Sequence, residues 1–196
     1  MKVSIILCHP SPRSFNHAIA AIVSETLQAR GATVTLHDLY AEQFDPVYTE
    51  AELPRDAVLP PVIEQHCREI GEADGIVVIH PNYWSRPPAM LCGWVDRVLR
   101  AGRAYRFVPD GKGGARPEGL LKAKAALVFT TANTSDEVDR VVYGDPLEMH
   151  WSKVVFGLCG VPCVRRSISS VIVSTAEQRG AWLDEVRTLV TERFFK

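Results

Sequence analysis

Gly75 to His80 reads GIVVIH, an apolar run with no alternating polar position, closed by Pro81. A strand with one wet face alternates, whereas a strand that is apolar throughout has to be covered on both faces. Lys2 to Cys8 (KVSIILC) and Lys124 to Thr131 (KAALVFTT) share this character. Such strands belong to parallel sheets, because a parallel pair needs a crossover connection and the crossover helix covers a face. The chain therefore needs helices between its strands.

The intervening stretches supply them. From Asn16 to Arg30 the apolar positions Ala18, Ile19, Ile22, Val23 and Leu27 recur at threes and fours, and Gly31 is a suitable stop. The spacing also predicts helices over Pro61 to about Ala73, Pro88 to Arg100, Pro146 to Leu158 and Ala176 to Phe194, with further strands at Thr33 to Asp38 and Pro162 to Val173. Residues 39 to 60, which contain Pro46, Pro54 and Pro60, read as a long surface excursion with little regular structure. Five strands alternating with helices predict an α/β fold, a doubly wound five-stranded parallel sheet with helices on both faces. No repeat, low-complexity tract or linker divides the 196 residues, so residues 1–196 are expected to form a single domain.

Composition narrows the class of partner. Lys and Arg number 22 against 23 Asp and Glu, a formal net charge of -1, so no net field draws the chain to nucleic acid or an anionic membrane. No apolar run approaches the roughly 18 to 20 residues of a membrane span, and no small-residue cleavage site follows the short apolar run of MKVSIILCHP. The five cysteines are scattered without CxxC pairs, which fits reduced thiols and a cytoplasmic location.

Ligands of doubly wound sheets sit beyond the carboxyl ends of the strands. The loop after the first strand is HPSPRSFN, residues 9 to 16. Ser11, Ser14 and Asn16 offer short polar side chains, Arg13 a charge, and the helix start free N–H groups, a set that suits a phosphate. A simple N-cap is the alternative for the same residues. After the third strand, Pro81, Pro87 and Pro88 stiffen a loop that presents Tyr83 and Trp84 as a platform for a flat heteroaromatic ligand. Trp94, in the following helix, reads as core. After the fourth strand, Thr130 to Ser135 (TTANTS) is a run of short polar groups, either a hydrogen-bonding edge or a capped turn. Phosphate site, aromatic platform and polar edge at one end of a parallel sheet describe a flavin mononucleotide pocket.

Motifs for other chemistries are missing. The chain has no GxGxxG after the first strand, no GxxxxGK[ST], no GxSxG and no HExxH. Gly111 to Gly114 follows a Pro-Asp pair and reads as a flexible turn. His17, His37, His66 and His150 lack ligand spacing and read as surface or helix-face histidines, so no metal is expected.

Pro81-x-x-Trp84, Pro88-Ala89-x-Leu91, Gly93-Trp94-x-Asp96-Arg97-Val98 and Gly102-x-Ala104-Tyr105 together resemble the signature of the flavodoxin-like NAD(P)H:quinone oxidoreductases. That group includes DT-diaphorase, bacterial modulators of drug activity and potassium-efflux ancillary reductases, and the resemblance covers nearly the whole chain. His9 with Ser14-Phe15-Asn16 is similar to the family's flavin-phosphate loop and Thr130-Thr131 to its fourth-strand loop. The resemblance implies that Ser14, Phe15 and Asn16 hold the flavin phosphate beside His9. Pro81, Asn82, Tyr83 and Trp84 would line the isoalloxazine, Thr131, Ala132 and Asn133 its pyrimidine side, and Tyr105 the pocket rim. It further implies hydride transfer from NAD(P)H through the flavin to a quinone or similar small acceptor, in a homodimer without membrane insertion. FMN is favoured over FAD, since the length leaves no long tail to cover an adenosine.

Three departures from the family pattern stand out. Ala132-Asn133 replaces the usual Gly-Gly, Cys92 replaces a Lys, and of the relay His and Tyr of the DT-diaphorase branch the chain offers Tyr143, beside Gly144-Asp145, and no His. Tyr143 is therefore the candidate catalytic residue. Ala132-Asn133 and the missing relay His also motivate an alternative, a regulatory or binding subunit that docks on a partner such as a transporter and turns over little.

Overall fold

The uninterrupted apolar segments form the middle of one sheet. In the computed structural model, which describes residues 1–196, strands β1 (Lys2–Leu7), β2 (Thr33–Asp38), β3 (Gly75–Pro81), β6 (Ala125–Thr131) and β7 (Cys163–Ile168) are all parallel, in the order β2-β1-β3-β6-β7. This is the doubly wound order with its switch point between β1 and β3. Every residue of β3 and β6 is buried. Successive side chains point to opposite faces, and two separate cores follow. Val3, Ile5, Leu7, Val77, Ile79, Leu127 and Phe129 pack against α1 (Phe15–Gln28) and α6 (Ala176–Phe195). Ile6, Ile76, Val78, Ala126 and Val128 pack against the other face, with α2 (Pro61–Glu72), α3 (Ala89–Val98) and α5 (Phe156–Cys159). The expected α/β architecture stands. No helix is long and apolar enough to cross a membrane.

Four segments differ from expectation. Residues 39 to 60 are pinned down: Glu50–Glu52 forms a 3-10 turn, and Phe44, Glu52 and Leu59 are buried. Arg97 of α3 grips Glu52 with two hydrogen bonds of 3.0 and 3.1 Å, and Arg100 donates to the Tyr48 hydroxyl at 3.0 Å. Gly93 lies against Pro46 so closely that a Cβ there would stand 2.2 Å from the Pro46 carbonyl oxygen. Between α3 and β6, β4 (Tyr105–Pro109) and β5 (Ala115–Gly119) make an antiparallel hairpin, with Gly111 to Gly114 in its turn. The helix expected over 146 to 158 is α4 (Pro146–Glu148), a π-helical stretch Met149–Val155 and then α5. The strand expected to reach Val173 stops at Ile168; Ser170 takes a positive φ of 59° and Val171–Val173 winds into a 3-10 turn.

Candidate functional site

A cavity of about 470 Å³ lies beyond the carboxyl ends of β1, β3 and β6, within the roughly 300–1,000 Å³ of small-molecule sites. The loop after β1 contributes His9, Ser11, Ser14, Phe15 and Asn16 to its lining. Ser14 is the N-cap of α1, accepting the His17 N–H at 3.3 Å. The Phe15 and Asn16 N–H groups donate to no protein acceptor, as the first turn of a helix requires. His9 Nδ1 accepts the Ser11 N–H at 3.0 Å, so the ring proton of the neutral imidazole is on Nε2. Burial holds His9 below its ordinary pKa.

Pro81, Asn82 and Tyr83 line the cavity from the end of β3 and the loop beyond it, and Thr131, Ala132 and Asn133 from the end of β6 and its loop. Asn82 N–H donates to Thr131 O at 2.7 Å, while its side-chain Oδ1 is buried without a partner. Asn16, also buried, donates through Nδ2 to Thr131 Oγ1 at 2.9 Å, which fixes the phosphate-type loop to β6. Thr130 and Thr131 are neighbours on a strand and so face opposite ways. Thr131 meets the cavity, while Thr130 accepts from Arg165 on the far face at 3.0 Å and does not line it.

Two further lining groups escaped the sequence reading. Val171 and Ile172 fold over the cavity because the chain turns at Ser170, and Arg179 reaches it from α6. The Asn133 side chain builds this wall, accepting the Ile172 N–H at 3.1 Å, while Val171 N–H donates to Ala132 O at 3.2 Å. Arg179 is steadied by Ser174 Oγ at 2.8 Å. The Ser169-Ser170 pair ahead of the apolar Val171-Ile172-Val173 was the signal for this break.

Other candidates stand apart from the cavity. Arg13 is exposed on the loop. Trp84 and Ser85 occupy the centre of a tight turn closed by Tyr83 N–H to Arg86 O at 3.0 Å and Arg86 N–H to Tyr83 O at 3.2 Å, with φ of 55° and 56°. That left-handed geometry turns the Trp84 ring outward, 93% exposed, while Tyr83 stays in the lining. Tyr143 is exposed at the end of the π-helical stretch Val138–Val142, outside the lining. Tyr105 stands over a smaller cavity with Tyr48 and Arg100. Trp94 is core, as expected, donating to His66 Nδ1 at 3.0 Å.

That contact corrects the reading of His37 and His66 as surface groups: both are buried, stacked 3.9 Å apart between centroids. His37 Nδ1 meets Glu42 at 2.9 Å and Nε2 meets Glu69 at 2.7 Å, and His66 Nε2 lies 3.4 Å from Glu42. These donor atoms lie close enough for a metal, which would have to displace the protons they share. The Trp94 N–H can only donate, so His66 Nδ1 is the acceptor and Nε2 carries the hydrogen. His37 is likewise engaged at both nitrogens, by Glu42 and Glu69.

Residues 1–188 match the profile of a family described by its flavodoxin-like fold. Ribosyldihydronicotinamide dehydrogenase (quinone) of Pongo abelii is 32% identical over an alignment 219 positions long, spanning 97% of this chain and 93% of that protein. Among solved structures, Smu.1420 of Streptococcus mutans superposes with a TM-score of 0.85 at 32% identity, covering 98% of this chain and 100% of that one. The NAD(P)H:quinone oxidoreductase of Methanothermobacter marburgensis superposes with a TM-score of 0.78 at 27% identity, covering 97% and 95%. With the strand order, the site at the switch point and these similarities in hand, the chain belongs to the flavodoxin-like fold family, in the company of the quinone dehydrogenases.

Proposed function

We propose that the protein is a flavin-dependent oxidoreductase that passes hydride from NAD(P)H to a quinone or similar small acceptor. The observation that carries this reading is a single cavity at the switch point that offers unengaged Phe15 and Asn16 N–H groups together with the buried, unpartnered Asn82 Oδ1. Helix-start N–H groups suit a phosphate, and a buried carbonyl oxygen without a donor suits a ring N–H. The residues present therefore fit a flavin. Bound there, a flavin supplies two-electron chemistry, accepting hydride from a nicotinamide and returning it to an acceptor.

The chain's own residues bind and orient. Ser11, Ser14 and the first turn of α1 hold the phosphate, with Arg179 as the nearby cation; Pro81, Asn82 and Tyr83 position the ring and Ala132 and Asn133 its polar edge. With one phosphate-type loop in the cavity, FMN is the proposed flavin and FAD the competing outcome. We assign the relay role to Tyr143 in a homodimer, where the exposed Trp84 and Tyr143 rings supply apolar contact surface. All five cysteines are free, three of them buried, which suits a reducing cytoplasm.

The purified protein is expected to be yellow, bleached by NAD(P)H without oxygen and recoloured by a quinone. A colourless protein that rejects both FMN and FAD refutes the reading. Flavin binding without NAD(P)H oxidation points instead to the docking subunit. Extraction and mass measurement of the flavin decides between FMN and FAD.

A further inference from the structure

Ser14 Oγ, His17 and Asp38 form a hydrogen-bonded chain that leads away from the cavity: Oγ to Nδ1 is 2.8 Å and Nε2 to Asp38 Oδ2 is 3.0 Å. We propose that His17 and Asp38 are positioning residues that set whether Ser14 can donate to the flavin phosphate, so that phosphate binding takes up a proton. The inference rests on the flavin reading above.

The direction of each proton follows from the partners. The other Asp38 oxygen, Oδ1, accepts the Tyr40 and Ala41 N–H groups, each at 3.2 Å, which anchors the carboxylate with Oδ2 facing His17. A carboxylate only accepts, so His17 Nε2 carries a hydrogen. In the neutral imidazole Nδ1 is then a lone pair, and the 2.8 Å contact is the Ser14 hydroxyl donating to it. Ser14 has one hydroxyl proton, and this arrangement spends it away from the cavity. Toward an incoming phosphate, Oγ presents only lone pairs.

Protonating His17 reverses the contact. Nδ1–H now donates to Oγ, which also accepts the His17 backbone N–H at 3.3 Å, and the hydroxyl proton is free to point at a phosphate oxygen. Both Ser14 lone pairs and its proton are then engaged, and an imidazolium stands behind the anion. The groups facing His17 are Asp38 from the end of β2, and Ser14 and the His9 ring, 6.4 Å away edge-on, from the loop after β1. Burial holds His9 below its ordinary pKa although its Ser11 contact acts the other way, and the hydrogen that reverses the Ser14 contact is one on His17 Nδ1.

The test is flavin affinity against pH, read by quenching of flavin fluorescence on the full chain. FMN affinity should fall about tenfold as pH rises from about 5.5 to about 8, the equivalent of one charge-assisted hydrogen bond. The phosphate's own titration near pH 6 acts in the opposite direction, favouring the dianion as pH rises. Riboflavin, which lacks the phosphate, should show no such fall. In Asp38→Asn the Tyr40 and Ala41 N–H groups keep the amide oxygen on their side, so its NH2 faces His17 and forces Nε2 to accept. Nδ1 then carries the hydrogen in the neutral ring, and at pH 8 the variant should bind FMN more tightly than the wild type does at the same pH. Calorimetry in buffers of different ionisation enthalpy should show proton uptake with FMN in the wild type and none in the variant. Flat or rising wild-type FMN affinity, or an Asp38→Asn profile that falls like the wild type, overturns the relay while leaving the flavin reading intact. Failure of both FMN and riboflavin to bind overturns both.

Discussion

Arg97→Met tests whether the segment from 39 to 60 is held by charge pairing from α3. Arg97 and Glu52 are almost fully buried, and Thr49 adds hydrogen bonds to Glu52 Oε2 of 2.7 Å from its hydroxyl and 3.1 Å from its N–H. Burial alone would raise the Glu52 pKa, but Thr49 and Arg97 outweigh it and hold the carboxyl below its ordinary value. Removing Arg97 leaves a buried carboxylate with Thr49 as its remaining donor, a change that costs about 3–5 kcal/mol. With a urea slope of roughly 1–3 kcal/mol/M, the unfolding midpoint should drop by about 1 M or more. The double variant Arg97→Met with Glu52→Leu removes both charges and should recover most of that loss, because a well-packed apolar pair replaces a buried ion pair at little cost. Urea titrations of the four proteins, read by tryptophan fluorescence, measure the coupling. If the single variant loses less than about 1 kcal/mol, or if the double variant is as unstable as the sum of the singles, the pairing does not hold the segment.

Other consequences are as direct. Gly93→Ala places a Cβ against the Pro46 backbone, with the Pro46 carbonyl oxygen 2.2 Å away, and should cost about 1–3 kcal/mol in the same assay; a neutral outcome contradicts the close approach. Trp94→Ala should destabilise by about 3–5 kcal/mol, whereas Trp84→Gly should stabilise by about 1 kcal/mol, since glycine accepts a φ of 55° without steric penalty; equal effects of the two would dissolve the distinction between core and turn. Burial opposes charge on both His37 and Glu42, yet Glu42 and Glu69 raise His37 above 6.5, and His37 and His66 hold Glu42 down to about 2 from 4.5. The His37 contribution is whole below its unfolded pKa of 6.5 and fades as pH rises through its folded value; the Glu42 contribution is whole above 4.5 and fades as pH falls towards about 2. The Tm gap between wild type and His37→Gln should therefore be widest between 4.5 and 6.5, and a gap constant with pH counts against the cluster.

Sequence reveals what burial on two faces demands. GIVVIH and KAALVFTT could only be inner strands, and with helices between them the switch point and its loops followed; eleven of the cavity's fourteen lining residues come from those loops. What stayed hidden depends on partners distant in sequence. In β2, Leu36 is exposed while His37 is buried, because Glu42, Glu69 and the His66 ring await it. ARPEG, residues 115 to 119, has no β-forming side chain and becomes a strand only beside β4, with Gly119 set against the Cys159 backbone. The outward turn of Trp84 is a matter of two φ angles that no composition announces.

The grip of α3 on residues 39 to 60 also bears on the order in which the molecule assembles. Synthesis delivers Pro46 and Glu52 about 45 residues before Gly93 and Arg97, so a nascent chain carries Glu52 and the Pro46 face with nothing to meet them. Closing so long a loop has to precede any reward from the contact. The β1-α1-β2 unit can gather early on local contacts, but the segment directly after it must wait in solvent until α3 docks. A ribosome pausing between β2 and α3 would therefore expose this stretch to proteases that the finished protein resists.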